Sequence, residues 1–190
     1  MAGRGWPLVV AAVLAAAAPA HAEPLPNNAL GLVTGIVSGT GADNKRVGTG
    51  WYYLGAQAAW QPMTTENRWG PTLRWSTMFG YMYGGSASHI DSTLRTVQMD
   101  LTVGVRVRPW QSVKRYLTFR GGAELLRSNE PIPTNASPTG QRAYYGGVAS
   151  IGLDQYVSAL MLSFDLRYGL IGGGGPQELA FMVGIAIAGP

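Results

Sequence analysis

Apolar and polar residues alternate strictly along residues 69–109, in two arms joined by a polar turn. In the first arm the odd-numbered positions from Trp69 to Tyr83 are mostly aromatic or apolar, and the positions between them are mostly small or polar. The second arm repeats this pattern from Val97 to Val107. A period of two places one set of side chains on each face of a β-strand. Each arm has about ten residues, about the length that a tilted strand needs to cross a bilayer.

The same alternation recurs along the chain and predicts eight strands. They are predicted at 30–38, 49–60, 69–83, 96–108, 115–127, 141–154, 158–171 and 178–188, with a tight turn at 155–157. An even number of strands can close an up-and-down barrel, and closure removes the strand edges that lipid cannot hydrogen-bond. The predicted fold class is all-β, an eight-stranded antiparallel transmembrane β-barrel at 29–190. The connections after odd-numbered strands are generally longer, as in barrels with extracellular loops and periplasmic turns.

The alternation alone does not say which face is outside, because a soluble lipocalin-like barrel has its apolar face inside. A soluble barrel needs a charged exterior, but charged residues make up only 13% of this chain, against roughly 25% in soluble domains. The polar faces are therefore predicted to line a lumen. A lumenal ionic network is predicted from Arg74, Asp100, Arg106, Arg120, Glu124, Asp165 and Arg167. A lipid-facing aromatic girdle is predicted from Tyr52, Trp60, Trp69, Tyr81 and Tyr83.

Within this network one pair is predicted specifically. A symmetric pairing of the third and fourth strands places Arg74 opposite Thr102 and diagonal to Asp100. Since an unpaired charge is costly in a low-dielectric lumen, Arg74 and Asp100 are predicted to neutralise each other. Arg120 and Glu124 would complete the network.

The N-terminal residues 1–22 are predicted to be a cleaved signal peptide. Arg4 supplies a positive n-region, an apolar stretch follows, and Ala20 and Ala22 form a small-x-small cleavage site. An N-terminal membrane anchor is the alternative, but the apolar run is too short to span a bilayer. Residues 23–28 are predicted to be a periplasmic lead-in. The chain has no Cys, which excludes a lipoprotein anchor and a disulfide framework.

These features together resemble the small eight-stranded outer-membrane barrels of Gram-negative bacteria, of the OmpX type and the membrane domain of OmpA. The resemblance rests on the signal peptide, strand number, loop asymmetry and lumenal charges, and it covers residues 30–188. It implies a location in the bacterial outer membrane, with outer-membrane lipid and lipopolysaccharide as neighbours. It also implies the barrel-assembly machinery as a partner during biogenesis. No cofactor is expected, and the scattered Arg residues do not suggest nucleic acid.

One polar turn carries residues with catalytic potential. Ser88, His89 and Asp91 lie close together in the predicted turn 84–92, and a Ser–His–acid relay uses these residue types. Some barrels of this size are lipid A-modifying enzymes. Ser, His and Asp are also ordinary turn residues, and one His with one Asp is too few ligands for a metal site.

The function predicted from the sequence is therefore a structural or surface-interaction role. The lumen is expected to be plugged, and the outer loops, above all residues 128–140, are expected to offer a surface for an extracellular ligand. A lipid A-modifying acyl hydrolase or acyltransferase that uses His89 is the first alternative. A narrow channel for small solutes is the second.

Overall fold

The barrel is seen in a computed structural model that describes residues 27–40, 51–63, 68–82, 94–110, 114–129, 141–172 and 177–189. The strands are β1 Asn28–Thr40, β2 Trp51–Trp60, β3 Trp69–Met82, β4 Leu94–Val107, β5 Arg115–Ser128, β6 Ala143–Val157, β7 Leu160–Ile171 and β8 Gln177–Gly189. Each strand pairs antiparallel with the next, and β8 pairs with β1, so the sheet closes. The predicted eight-stranded antiparallel barrel is confirmed. None of these residues forms a helix long and apolar enough to cross a membrane.

The two ends of the barrel differ in their connections. We call the end that holds the connections 61–68, 108–114 and 158–159 the turn end, and both strand termini Asn28 and Gly189 lie there. The opposite end, where β1–β2, β3–β4, β5–β6 and β7–β8 are connected, is the loop end. The predicted signal peptide and most of the predicted lead-in fall in residues 1–26, outside the described residues.

The tight turn between β6 and β7 lies at residues 158–159 and not at the predicted position 155–157. Gln155, Tyr156 and Val157 are still in β6, where they pair with residues of β7. The chain reverses at Ser158, which has a left-handed backbone (φ 56°). A two-residue hairpin turn favours this conformation because its twist matches that of the strands. The prediction failed because Ser-Ala is not a typical sequence for such a turn.

The apolar face of each strand points outward and the polar face points into the barrel. On β4 the Val103 side chain is 59% exposed, whereas its neighbour Thr102 is 4% exposed. Leu, Ile, Phe and Trp side chains are exposed in the same way around the wall, for example Leu32, Phe79 and Ile185. Such an exterior suits lipid, because hydrogen bonds within the closed wall satisfy the backbone polar groups.

The start of the β2–β3 connection, residues 61–63, folds back into the turn-end mouth of the barrel. The backbone N–H of Gln61 donates to the backbone carbonyl oxygen of Asn27 at 2.6 Å. The side chains of Gln61 and Met63 are buried. Gly70 leaves the space that this requires, since a Cβ there would lie 2.6 Å from the Pro62 carbonyl oxygen. Residues that lie between two predicted strands thus contribute to the filling of the lumen.

The outward orientation of Val103 makes a testable prediction. Val103→Arg should lower the free energy of unfolding in phospholipid vesicles by about 2–4 kcal/mol, because a charge in the middle of a lipid-facing strand must be desolvated. Val103→Leu is the matched control and should change it by less than about 0.5 kcal/mol. Urea titration of the refolded barrel measures both. Equal effects of the two substitutions would show that this wall does not face lipid.

Candidate functional site

Inward-facing side chains fill the lumen in three layers along the barrel axis. The order is visible on β7, whose inward positions run from Met161 at the turn end through Asp165 and Arg167 to Ile171 at the loop end. Met161 and Ile171 belong to two separate clusters of buried apolar side chains. Asp165 and Arg167 between them form ion pairs. We therefore distinguish a loop-end layer, an ionic layer and a turn-end layer.

The loop-end layer is apolar and aromatic. It consists of Val33, Val37, Trp51, Tyr53, Met78, Leu126, Tyr144, Ile171, Ala180 and Met182. Trp51 and Tyr53 come from β2, a strand with large side chains on both faces, so alternation there does not distinguish inside from outside.

The turn-end layer is built around Arg106. Its guanidinium carbon lies 3.7 Å from the ring centroid of Tyr116 and 4.9 Å from that of Tyr156. The two rings meet edge to face, and Arg106 Nη1 donates to the Gln61 carbonyl oxygen at 3.3 Å. Cation–π attraction of this kind is worth about 2 kcal/mol when it is desolvated. Arg106, which we predicted in the ionic network, thus lies in a separate aromatic site.

The first half of the ionic layer is centred on Asp165. Its carboxylate accepts from Arg74 Nη1 and from Arg120 Nη2. Arg74 Nη2 also contacts Asp154 Oδ1 at 3.2 Å. Gly152 leaves room for this arrangement, since a Cβ there would overlap the Asp165 carboxylate. Positive and negative groups alternate along the chain Asp154–Arg74–Asp165–Arg120.

The second half of the ionic layer is centred on Arg167. Its Nη1 donates to Asp100, and its Nη2 lies 2.7 Å from Glu124 Oε1 and 3.8 Å from Glu178 Oε1. The Gln98 amide nitrogen donates to both glutamates, at 2.5 Å in the case of Glu178. Three carboxylates therefore share one guanidinium and one amide.

The predicted pair of Arg74 with Asp100 is wrong. Arg74 does lie opposite Thr102, as predicted, but its guanidinium contacts acids on β6 and β7. Asp100 instead binds Arg167 on β7. The physical reason is the small radius of an eight-stranded barrel, whose interior is just wide enough for side chains to fill. A long side chain therefore reaches the opposite wall, and strand neighbours do not determine its partner.

Two acids of the ionic layer were missing from the predicted network. Asp154 and Glu178 are both fully buried, and each contacts an arginine. Their position in the alternating pattern could have identified them, because every second residue of a strand points inward. Glu178 shares its face of β8 with the buried Ala180 and Met182. Asp154 in the same way shares its face of β6 with the buried Tyr144 and Val148. Both lie near predicted strand ends, where alternation is weakest as a guide.

A cavity of about 30 Å³ lies between the two halves of the ionic layer. Its lining includes the charged groups of Arg74, Asp100, Arg120, Asp165 and Arg167. A buried water needs about 10–15 Å³ of such space and several polar partners. The cavity is therefore large enough to hold water but not a larger solute.

The predicted aromatic girdle is described in part. Tyr52, Trp60 and Trp69 are exposed on the outer wall, Tyr52 near the loop end and the two tryptophans at the turn end. For Tyr81 only the backbone is described, and Tyr83 lies outside the described residues. The outer wall also exposes Trp110 at the turn end and Tyr145 near the loop end.

The weak catalytic candidates Ser88, His89 and Asp91 all lie outside the described residues. Within the described ranges, no group of three or more His, Cys, Asp or Glu side chains is arranged to hold a metal ion.

The same architecture occurs in solved structures of bacterial outer-membrane proteins. Ail, the attachment invasion locus protein of Yersinia pestis, matches with a TM-score of 0.56 and 13% identity over 87% of this chain and 99% of that chain. Ail in complex with the heparin analogue sucrose octasulfate matches with a TM-score of 0.55 and 13% identity, with the same coverage of both chains. OprG of Pseudomonas aeruginosa matches with a TM-score of 0.50 and 11% identity over 88% and 95% of the two chains.

The chain has the fold of the small outer-membrane barrels. These matches confirm the expected resemblance to eight-stranded outer-membrane barrels. The fold also agrees with the predicted location in the bacterial outer membrane. No family model matches the chain, and no curated protein matches it in sequence. At this identity the likeness concerns the fold.

The cross-lumen ion pairs predict which charges are coupled. Asp165→Ala should destabilise the barrel by about 3–5 kcal/mol, because it leaves two buried guanidiniums without their shared acceptor. Arg74→Ala combined with Asp165→Ala should lose clearly less than the sum of the single losses. In the control double variant, Arg74→Ala with Asp100→Ala, the loss of stability should be closer to the sum of the two single losses. Urea unfolding of all the variants measures the couplings, and a larger coupling to Asp100 would contradict these ion pairs.

Proposed function

We propose that this protein is a closed outer-membrane barrel that acts as a rigid scaffold and displays its loop-end connections at the bacterial cell surface for interaction with an extracellular partner. The observation that carries this proposal is the filled lumen. Two layers of packed side chains and a layer of ion pairs lie across the barrel axis. The displayed connections are residues 41–50, 83–93, 129–142 and 172–176.

The size of the lumenal cavity favours a scaffold over a narrow channel. The cavity of about 30 Å³ is bounded by the ionic layer. A solute would have to separate the ion pairs of Arg74 and Arg167 and displace the packed side chains at both ends. Breaking a single buried pair by removing one partner costs about 3–5 kcal/mol. Such a barrier opposes steady permeation.

The asymmetry of the connections supports an outward loop end. The β6–β7 turn has only the residues 158–159 between its strands, whereas the β5–β6 connection includes residues 129–142. Outer-membrane barrels place short turns in the periplasm and longer loops outside the cell. A surface role is also compatible with the fold, since Ail, an attachment invasion locus protein, is built on it and has been seen with a heparin analogue.

The first test is conductance. The refolded wild-type protein should show no steady single-channel conductance in planar lipid bilayers, because a permeating ion would have to separate the ion pairs of Arg74 and Arg167. A wide general porin, inserted into the same bilayers, is the positive control. Reproducible conductance steps from the wild-type barrel would support the narrow channel instead.

The second test is topology on intact cells. The chain has no native Cys, so single substitutions can be labelled specifically. A membrane-impermeant maleimide should label Asn135→Cys, in the β5–β6 connection, on intact cells. Ser112→Cys, at the turn end, should be labelled only after the outer membrane is permeabilised. The reverse result would mean that the loop end faces the periplasm and would overturn the surface role.

A further inference from the structure

Charge is distributed very unevenly between the inside and the outside of the barrel. Every Asp and Glu within the described ranges lies in the lumen. They are Asp100, Glu124, Asp154, Asp165 and Glu178. The basic side chains outside the lumen lie near the two ends of the barrel, and at the loop end they are Arg95, Arg127 and Arg142. The charged side chains that the structure describes on the outer surface at the loop end are thus all basic.

The three loop-end arginines lie on adjacent strands around one groove. Arg95 is on β4, Arg127 is on β5, and Arg142 directly precedes β6. Backbone hydrogen bonds connect the chain segments that carry these arginines. Asn129 N donates to the Arg95 carbonyl oxygen at 3.0 Å, and Ser128 N donates to the Arg142 carbonyl oxygen at 2.9 Å. The Asn129 side chain in turn accepts from Arg95 N at 2.8 Å.

The groove combines these charges with an apolar wall. It has a volume of about 410 Å³, and Phe79 and Val97 line it together with the three arginines. Phe79 pairs with Val97, and Val97 pairs with Arg127. Phe79 and Val97 continue the apolar outer wall, so the groove joins the lipid-facing surface to the basic rim. Its occupant should carry both an acyl chain and a compact anion.

We propose that this loop-end groove binds the phosphorylated glucosamine headgroup of lipid A in the outer leaflet, with an acyl chain against Phe79 and Val97. Guanidinium groups match phosphate oxygens through paired hydrogen bonds, and three of them complement a doubly charged phosphate better than a singly charged diester. The location in the outer leaflet rests on the outward loop end proposed above. The chemistry of the groove itself does not depend on that orientation.

The test measures lipid A binding to the full-length mature barrel in detergent micelles. Arg95, Arg127 and Arg142 are changed together to Gln. The matched control changes Arg68, Lys114 and Arg115, at the turn end, to Gln, and therefore removes the same charge. The heat-dependent gel shift of a folded barrel verifies folding of each variant. If the triple variant does not fold, Arg127→Gln alone and wild-type binding of dephosphorylated lipid A supply the same comparison.

We expect the loop-end variant to bind lipid A at least about tenfold more weakly than wild type, since it loses several charge-assisted hydrogen bonds. The turn-end control should stay within about twofold of wild type. Dephosphorylated lipid A should bind the wild type as weakly as lipid A binds the loop-end variant. Phosphatidylglycerol should bind more weakly than lipid A, and equimolar inorganic phosphate should not displace lipid A.

Several outcomes would overturn the site. Equal losses in the loop-end and turn-end variants would mean non-specific charge attraction. Equal affinity for phosphatidylglycerol would mean a general anionic-lipid surface, and displacement by equimolar inorganic phosphate would mean a site for free phosphate. The binding assay does not depend on orientation in the cell. Failure of this site and failure of the surface role, tested by labelling Asn135→Cys, are therefore separate results.

Discussion

The closure of β8 onto β1 is the constraint on which the rest of the structure depends. The two strands pair along their whole described lengths, from Asn28 opposite Gly189 to Thr40 opposite Gln177. In lipid an open edge would leave a row of backbone donors and acceptors without partners, at several kcal/mol each. Closure removes that cost, but it also creates an interior that must be filled. With eight strands the interior is narrow, so side chains alone can fill it.

The alternation that makes the exterior apolar also places charged side chains in the interior. Successive residues of a strand point to opposite sides, so each lipid-facing Leu or Val places its neighbour in the lumen. Many of those neighbours are charged, and a charge in a low-dielectric interior is tolerated only with a partner. Asp165 and Arg167 supply such partners from adjacent inward positions of β7. Clusters of buried apolar side chains lie on both sides of these ion pairs, and a low local dielectric strengthens them.

The outer surface has a second pattern of side chains, which suits contact with lipid and plays no part in packing inside the barrel. Several exposed aromatic side chains lie near the barrel ends, where amphipathic rings match the headgroup region; they are Tyr52, Trp60, Trp69, Trp110 and Tyr145. Basic side chains accompany them, while the acids of the described ranges are all inside. The same segregation of charge thus provides ion-pair partners in the lumen and leaves the described part of the rim positive. At the loop end this rim includes a groove with an apolar wall.

The sequence by itself determined the number of strands, their antiparallel order and, wherever the alternation is clear, which face of a strand is inside, because these follow from local alternation with a period of two. It also predicted that seven charged residues lie in the lumen, because they occupy the polar faces of their strands and a charge that faces lipid is costly. Only the tertiary structure decided the ion-pair partners. Arg74 contacts Asp154 and Asp165 and not Asp100, because side chains reach across the lumen to strands that are distant in sequence. The left-handed backbone of Ser158 was not predicted, because Ser-Ala is not a typical sequence for a two-residue turn. The position of Arg106 against Tyr116 and Tyr156 was likewise decided by the tertiary structure, because both rings come from other strands.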